Sequence, residues 1–139
     1  MHTVFLALGS NLGDKIANLL NAYNLIQNRI GQITAQSDFI ISKPWGFQSD
    51  NNFVNSVVKV TTQLEPFELL HTTQQIERDL GRASKSSNGR YHDRVIDIDI
   101  LIYDSISINT PELTIPHPHM QSRSFVTYPL SQIDDSYVD

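Results

Sequence analysis

The stretch Val95-Ile96-Asp97-Ile98-Asp99-Ile100-Leu101-Ile102-Tyr103 decides the fold of this chain. Side chains of an extended segment alternate between two faces. Ile96, Ile98, Ile100 and Ile102 therefore line one face, and Val95, Asp97, Asp99 and Leu101 the other. This is the clearest strand in the sequence. Working outward, residues 82–94 (RASKSSNGRYHDR) show no apolar period and read as a long loop, the kind that in compact domains carries function or is mobile. Before it, Leu69, Leu70, Thr73, Ile76 and Leu80 form a helical stripe that starts at Pro66, a favoured first position, and stops at Gly81. Residues 53–62 alternate and predict a strand with one well-buried face, Val54, Ser56, Val58 and Val60 opposite Phe53, Asn55, Val57 and Lys59. The segment 42–52 is a polar loop, and 33–41 a further strand. Ile16, Leu19, Leu20, Tyr23, Ile26 and Ile30 fall at helical spacing, with Gly31 placed to end that helix. Val4-Phe5-Leu6-Ala7-Leu8 reads as a buried central strand, broken by turn chemistry at Gly9-Ser10-Asn11-Leu12-Gly13-Asp14. A small hairpin is expected from Asp104-Ser105 to Ile106-Ser107-Ile108.

The order strand, helix, strand, strand, helix, strand is that of a ferredoxin-like α+β domain, an antiparallel sheet with helices packed on one face. Its other face is then covered by loops and the tail, or used for a ligand. A length of 139 residues fits one domain over 1–139. Ten Lys and Arg against fifteen Asp and Glu leave a net charge of −5, which argues against broad nucleic-acid binding. With no cysteine in the chain, disulfides, thiolate metal sites and a cysteine nucleophile are excluded. No window approaches the roughly 18 apolar residues of a membrane-spanning helix, and no targeting segment is visible. The expectation is a cytoplasmic protein bound to no membrane.

Six features could carry chemistry. Asp97 and Asp99 project from one face of their strand with Cα atoms about 7 Å apart. Two like charges there suit a hard cation such as Mg²⁺, which keeps waters and shares its remaining positions with substrate phosphates; a solvent-facing acidic strand is the plain alternative. Arg78, Arg82, Lys85, Arg90 and Arg94 are five of the ten cations, and against Asp79 and Asp93 they leave a local +3. Arginine binds phosphate oxygens with a planar fork, although a solvated basic loop has the same composition. The GSNLGD segment lacks the spacing and the Lys-Ser/Thr pair of a phosphate loop, and reads better as a turn with Asn11 or Asp14 capping the next helix. Pro44, Trp45, Phe47, Phe53, Asn55 and Phe125 supply flat apolar surfaces and an amide, enough to hold a heterocycle or simply to anchor loops. Ile115-Pro116-His117-Pro118-His119 with Arg123 offers two histidines but no third ligand for zinc, so a histidine donating to phosphate is the better functional reading. Leu70, Gln74 and Glu77 share one helical stripe and could meet an adenine or ribose.

In sequence, LALGSNLGD (6–14), KPWGFQSDNNFVN (43–55), QQIERDLGR (74–82), DRVIDIDIL (93–101) and LTIPHPHMQSRSFVTYPL (113–130) resemble the 6-hydroxymethyl-7,8-dihydropterin pyrophosphokinase family. The resemblance covers nearly the whole chain in register. It implies a ferredoxin-like α/β/α sandwich with a mainly antiparallel sheet. It also implies transfer of the pyrophosphoryl group of ATP to the hydroxymethyl of the dihydropterin, giving AMP and the pterin diphosphate. By the same resemblance Asp97 and Asp99 hold two Mg²⁺ ions on ATP, and Arg82 and Arg94 engage the phosphates and take part in closure. Leu70, Gln74, Glu77, Lys85, Ile100, Thr114, His117 and Arg123 fall on the nucleotide side. Ser42, Lys43, Pro44, Trp45, Phe53, Asn55, Asp97 and Phe125 fall on the pterin side. Some positions depart from the common pattern: Tyr91 stands for Trp, His92-Asp93 for Gly-Pro, Ser84 for Arg, Pro118 for Tyr, and Lys43 is unusual before Pro44. The partners implied are ATP and the dihydropterin, with the protein acting as a monomer.

Two other readings compete. Another metal-dependent nucleotidyl- or phosphotransferase would use the Asp-x-Asp strand without needing Trp45, Phe53, Asn55 and Phe125. A non-catalytic ferredoxin-like binding module would present a basic, aromatic sheet face in place of two aspartates. The assignment of Arg82 to a contact that matures on closure makes a specific prediction. Arg82→Ala should lower turnover far more than it weakens resting nucleotide binding, as read by steady-state kinetics beside equilibrium titration with ATP; equal losses contradict it.

Overall fold

The computed structural model describes residues 1–44, 49–81 and 93–137. Among these residues seven strands and three α-helices are formed: β1 (His2–Ser10), α1 (Lys15–Arg29), β2 (Gly31–Gln36), β3 (Ile40–Ser42), β4 (Phe53–Thr62), α2 (Pro66–Asp79), β5 (Asp97–Tyr103), β6 (Ile108–Asn109), β7 (Thr114–Ile115) and α3 (Ser124–Ile133). The main sheet has the order β2-β4-β1-β5, with β3 also paired to β4, and every pairing is antiparallel. This is the ferredoxin-like order expected from the element pattern, with β1 as a central strand.

Period 2 along β1 divides the core. Val4, Leu6 and Leu8 face α1 and α2, where they meet Leu19, Ile26, Leu69, Ile76 and Ile98. Phe5 faces the other way and packs with Val57, Leu101, Ile102, Met120, Val126 and Leu130. That second cluster is covered by α3, which the sequence did not announce as a helix. Pro129 lies inside it, and an interior proline normally weakens a helix. Burial of Val126, Pro129 and Leu130 outweighs that local cost. Both faces of β4 are consequently covered, and the single well-buried face expected for it is corrected. Ser56, on the helix side of β4, is satisfied by the Tyr23 hydroxyl at 2.5 Å.

Other expectations change for identifiable reasons. The strand predicted over 33–41 is two strands, β2 and β3. At the break the Ser37 hydroxyl accepts from Val57 N–H while Ser37 N–H donates to the Val57 carbonyl. The hairpin expected after Tyr103 does not form. Asp104 turns the chain at φ +48, and β6 pairs with β7 instead. Ile102 is not on the face of Ile100. The register of β1 against β5 shifts between Phe5 and Leu6, so Leu101 bulges and Ile102 joins the α3 side. The helix predicted to end at Gly31 does end beside it, but Gly31 itself opens β2. Its lack of a side chain is needed for a close approach, since a Cβ there would fall on the Thr61 carbonyl oxygen. Asp14, not Asn11, caps α1, accepting from Ala17 N–H at 3.1 Å.

The obstacle at Gly31 is backbone, which cannot rotate away. Gly31→Ala is therefore expected to lower stability by about 1–3 kcal/mol, as overpacked core positions do, in a denaturant titration monitored by circular dichroism.

Candidate active site

The site follows from the register of three strands. Gly9 of β1 lies opposite Asn55 on β4 and opposite Asp97 on β5, and Ala7 lies opposite Val57 and Asp99. Directly paired residues share a face, so Asn55, Asp97 and Asp99 all point to the α3 side of the sheet, as do Phe53 and Phe5. Between them the central strand supplies only Gly9 and Ala7, the two smallest residues available. The result is an open cavity of about 550 Å³, mouth included, lined by Ala7, Leu8, Gly9, Ser42, Lys43, Phe53, Asn55, Arg94, Asp97, Asp99, Arg123, Phe125 and Val126. A Cβ on Gly9 would come within 3.1 Å of Asn55 Oδ1 and 3.3 Å of Phe53 Cδ1, so glycine here keeps the cavity open.

Asn55 is held in one orientation. Its Nδ2 donates to the Ile40 carbonyl at 3.1 Å and to Ser42 Oγ at 2.7 Å. A carbonyl can only accept, so the nitrogen must face β3 and Oδ1 is left on the Gly9 side. Arg94 is almost fully buried at 6% exposure. Its guanidinium lies 5.4 Å from the centre of the Phe53 ring, and its Nη1 lies 3.3 Å from Asp97 Oδ2. Arg123, also buried, lies over Phe125 at 5.8 Å. Each aromatic ring of the cavity thus carries a guanidinium, a favourable pairing where water is scarce.

Of the residues expected on the pterin side, Ser42, Lys43, Phe53, Asn55, Asp97 and Phe125 meet in this cavity, and Pro44 follows Lys43 at its edge in sequence. Arg94, Asp99 and Arg123 join them. Trp45, Phe47, Arg82, Lys85 and Arg90 lie outside the described residues. The remaining nucleotide-side positions are on a second group of neighbouring elements. Leu70, Gln74 and Glu77 are on α2, Ile100 on β5 and Thr114 on β7. His117 donates its N–H to the Leu101 carbonyl at 2.9 Å. Leu70 and Ile100 are largely core residues. Glu77 is 3% exposed, and its carboxylate accepts from Ile98 N–H at 2.8 Å, in the residue between the two aspartates. Sequence reasoning missed Ala7, Gly9 and Val126, whose contribution is small size or shape. Asn11, in the SNLG loop that the family resemblance places as a structural border of the pterin pocket, grips Arg94: its backbone N–H donates to the Arg94 carbonyl at 3.1 Å and its Oδ1 accepts from Arg94 N–H at 2.7 Å.

Among the described residues no group of three or more His, Cys, Asp or Glu is gathered that could enclose a metal. Two carboxylates on alternate positions of one strand fit Mg²⁺, which needs only one or two protein oxygens besides water and phosphate.

Residues 5–135 match the family model described as 7,8-dihydro-6-hydroxymethylpterin-pyrophosphokinase (HPPK). The chain belongs to this family. The 2-amino-4-hydroxy-6-hydroxymethyldihydropteridine pyrophosphokinase of Porphyromonas gingivalis is 48% identical over 134 residues, covering 96% of this chain and 91% of that protein. The pyrophosphokinase of the same name from Aquifex aeolicus is 40% identical over 138 residues, covering 99% of this chain and 84% of that one. Among solved structures, a Plasmodium falciparum HPPK-DHPS chain superposes with a TM-score of 0.74 at 16% identity over 91% of this chain. This chain spans 40% of that longer one, and the likeness shows the shared fold. As a member of the HPPK family the chain is an ATP-dependent enzyme of folate biosynthesis. It transfers the pyrophosphoryl group of ATP to 6-hydroxymethyl-7,8-dihydropterin. No helix among the described residues is long and apolar enough to cross a membrane.

The Glu77 to Ile98 bond gives a prediction that separates structure from substrate contact. Glu77→Leu leaves a buried N–H without its acceptor and should cost about 1–3 kcal/mol. Glu77→Gln keeps an acceptor oxygen and should cost less than half as much, both read by denaturant unfolding.

Proposed function

We propose that the dihydropterin ring enters the cavity between Phe53 and Phe125, and that its hydroxymethyl meets the ATP polyphosphate beside Asp97 and Asp99. The observation that carries this reading is that one cavity brings together two aromatic faces, an oriented amide and both carboxylates. Asn55, with its nitrogen committed to Ile40 and Ser42, presents Oδ1 as an acceptor to the N–H edge of a heterocycle. The nucleotide then lies toward α2, β5 and β7, against Leu70, Gln74, Glu77, Ile100, Thr114 and His117, with Arg82, Lys85 and Arg123 assigned to it by family resemblance.

The hydroxymethyl oxygen forms a bond to the β-phosphorus as the bridge from that phosphorus to the α-phosphate breaks and AMP leaves. Asp97 and Asp99 would hold two Mg²⁺ ions through their carboxylate oxygens, and the ions would supply neutralisation of polyphosphate charge. Arg94 and Arg82 stabilise the equatorial phosphate oxygens where charge spreads in the transition state. Arg94 rests against Asp97 and Phe53, which supports its assignment to phosphate oxygens next to the carboxylates. The protein is read as a monomeric, cytoplasmic enzyme with one domain over 1–139.

The test is to incubate the protein with Mg-ATP and 6-hydroxymethyl-7,8-dihydropterin and to separate the products. AMP with pterin diphosphate is expected, and ADP or no reaction defeats the reading. Asp97→Ala and Asp99→Ala should each abolish transfer while circular dichroism shows the fold retained; near-normal turnover in either removes the metal assignment.

A further inference from the structure

Arg94 precedes the first residue of β5 by three positions, in a stretch with no strand ladder to fix its backbone. Its side chain is nonetheless buried and placed against Asp97 and Phe53. One residue, Asn11, supplies the missing ladder. Its N–H and its Oδ1 satisfy the carbonyl and N–H of Arg94, a two-point grip like that of a paired strand. Such a grip holds only if the Asn11 amide cannot rotate. Rotation is stopped at the other end of the amide, where Nδ2 donates to Asp93 Oδ1 at 2.8 Å and to the Asn51 carbonyl at 3.1 Å.

Asp93 gathers more than Asn11. Its Oδ2 accepts from Asn51 Nδ2 at 3.1 Å, and the Ser49 hydroxyl also donates to it. The Asp93 carboxylate is thus the common acceptor for donors from the segment after β1 and from the segment before β4. A carboxylate has acceptors only, so it can satisfy all of these donors at once. Burial raises its pKa. The hydrogen bonds from Ser49, Asn11 and Asn51, with the nearby Arg94 charge, outweigh that and hold the carboxyl below its usual range.

We propose that Asp93 is a positioning residue for the transfer reaction: by locking the Asn11 amide and the 49–51 segment, it sets the backbone of Arg94 and so aims the guanidinium at the reacting phosphate. The proposal rests on the assignment of Arg94 to the phosphates. It adds that the aim depends on a carboxylate at position 93 that touches no substrate.

Asp93→Asn tests it with nearly unchanged shape, because one half of the new side chain turns a donor toward donors. Three results are expected. The kcat with Mg-ATP and 6-hydroxymethyl-7,8-dihydropterin falls at least about tenfold, while the KM for the pterin changes less than about twofold. The Arg94 amide, followed by hydrogen exchange in NMR, exchanges at least about tenfold faster. In an Arg94→Ala background, adding Asp93→Asn changes kcat by less than about twofold, because the two residues act through one path. A wild-type kcat in Asp93→Asn, an unchanged Arg94 amide, or an equal loss with and without Arg94 each overturns the proposal. Normal turnover of Arg94→Ala alone overturns the assignment of Arg94 to the phosphates, a failure visible without any change at Asp93, and the proposal falls with it. Should Asp93→Asn not fold, Asn51→Ala removes one donor from the same clamp. It should show the same pattern at smaller amplitude, and the absence of any effect on kcat and on the Arg94 amide overturns the proposal equally.

Discussion

The register of β1 between β4 and β5 is the constraint on which the site depends. With Gly9 opposite Asn55 and Asp97, and Ala7 opposite Asp99, the polar groups share the α3 side of the sheet. A slip of one residue moves every side chain of a strand to the other face. In β5 such a slip would drive both aspartates into the cluster around Leu19, Leu69 and Ile76, where an unpaired charge costs several kcal/mol. The packing of Val4, Leu6 and Leu8 against the helices therefore does two jobs through one variable. It closes the core, and it delivers the carboxylates to the cavity.

Much of this arrangement was readable from residue order. The two periods, 3.6 for α1 and α2 and 2 for β4 and β5, set the ferredoxin-like sequence of elements. The positions of Asp97, Asp99, Phe53, Asn55 and Ser42 were visible as motif residues, and they meet in space. Other parts left no local mark. The helix α3 was hidden because Pro129 argues against it on propensity, and only its contacts with Phe5, Val57 and Leu101 explain it. The bulge at Leu101 was invisible because residues 100–103 are all apolar or aromatic, so either phase fits the pattern. Ala7 and Gly9 act by being small, and Asn11 acts on the backbone of Arg94. None of these has a chemical signature that distinguishes it from an ordinary strand or turn residue.

The net charge of −5 describes the surface poorly at the cavity. There Lys43, Arg94 and Arg123 stand beside Asp97 and Asp99. Two of the three cations rest on aromatic rings, which gives them a favourable neighbour without neutralising them. The cavity can in this way present flat apolar walls to a heterocycle and positive charge to a polyphosphate.

The bulge in β5 gives the strand a seam. On its N-terminal side, alternation turns Asp97 and Asp99 to the cavity and Ile98 and Ile100 to the helices. Beyond it the phase is reset, so Ile102 packs under α3 and Tyr103 returns to the helix side. The extra residue is itself tied off, since the Leu101 carbonyl takes the N–H of His117. Ile102 and Tyr103 pack in the reset phase, whereas deleting one residue at the seam would rephase the strand end against β1. At this point the number of residues in the chain sets which face each later side chain of β5 takes.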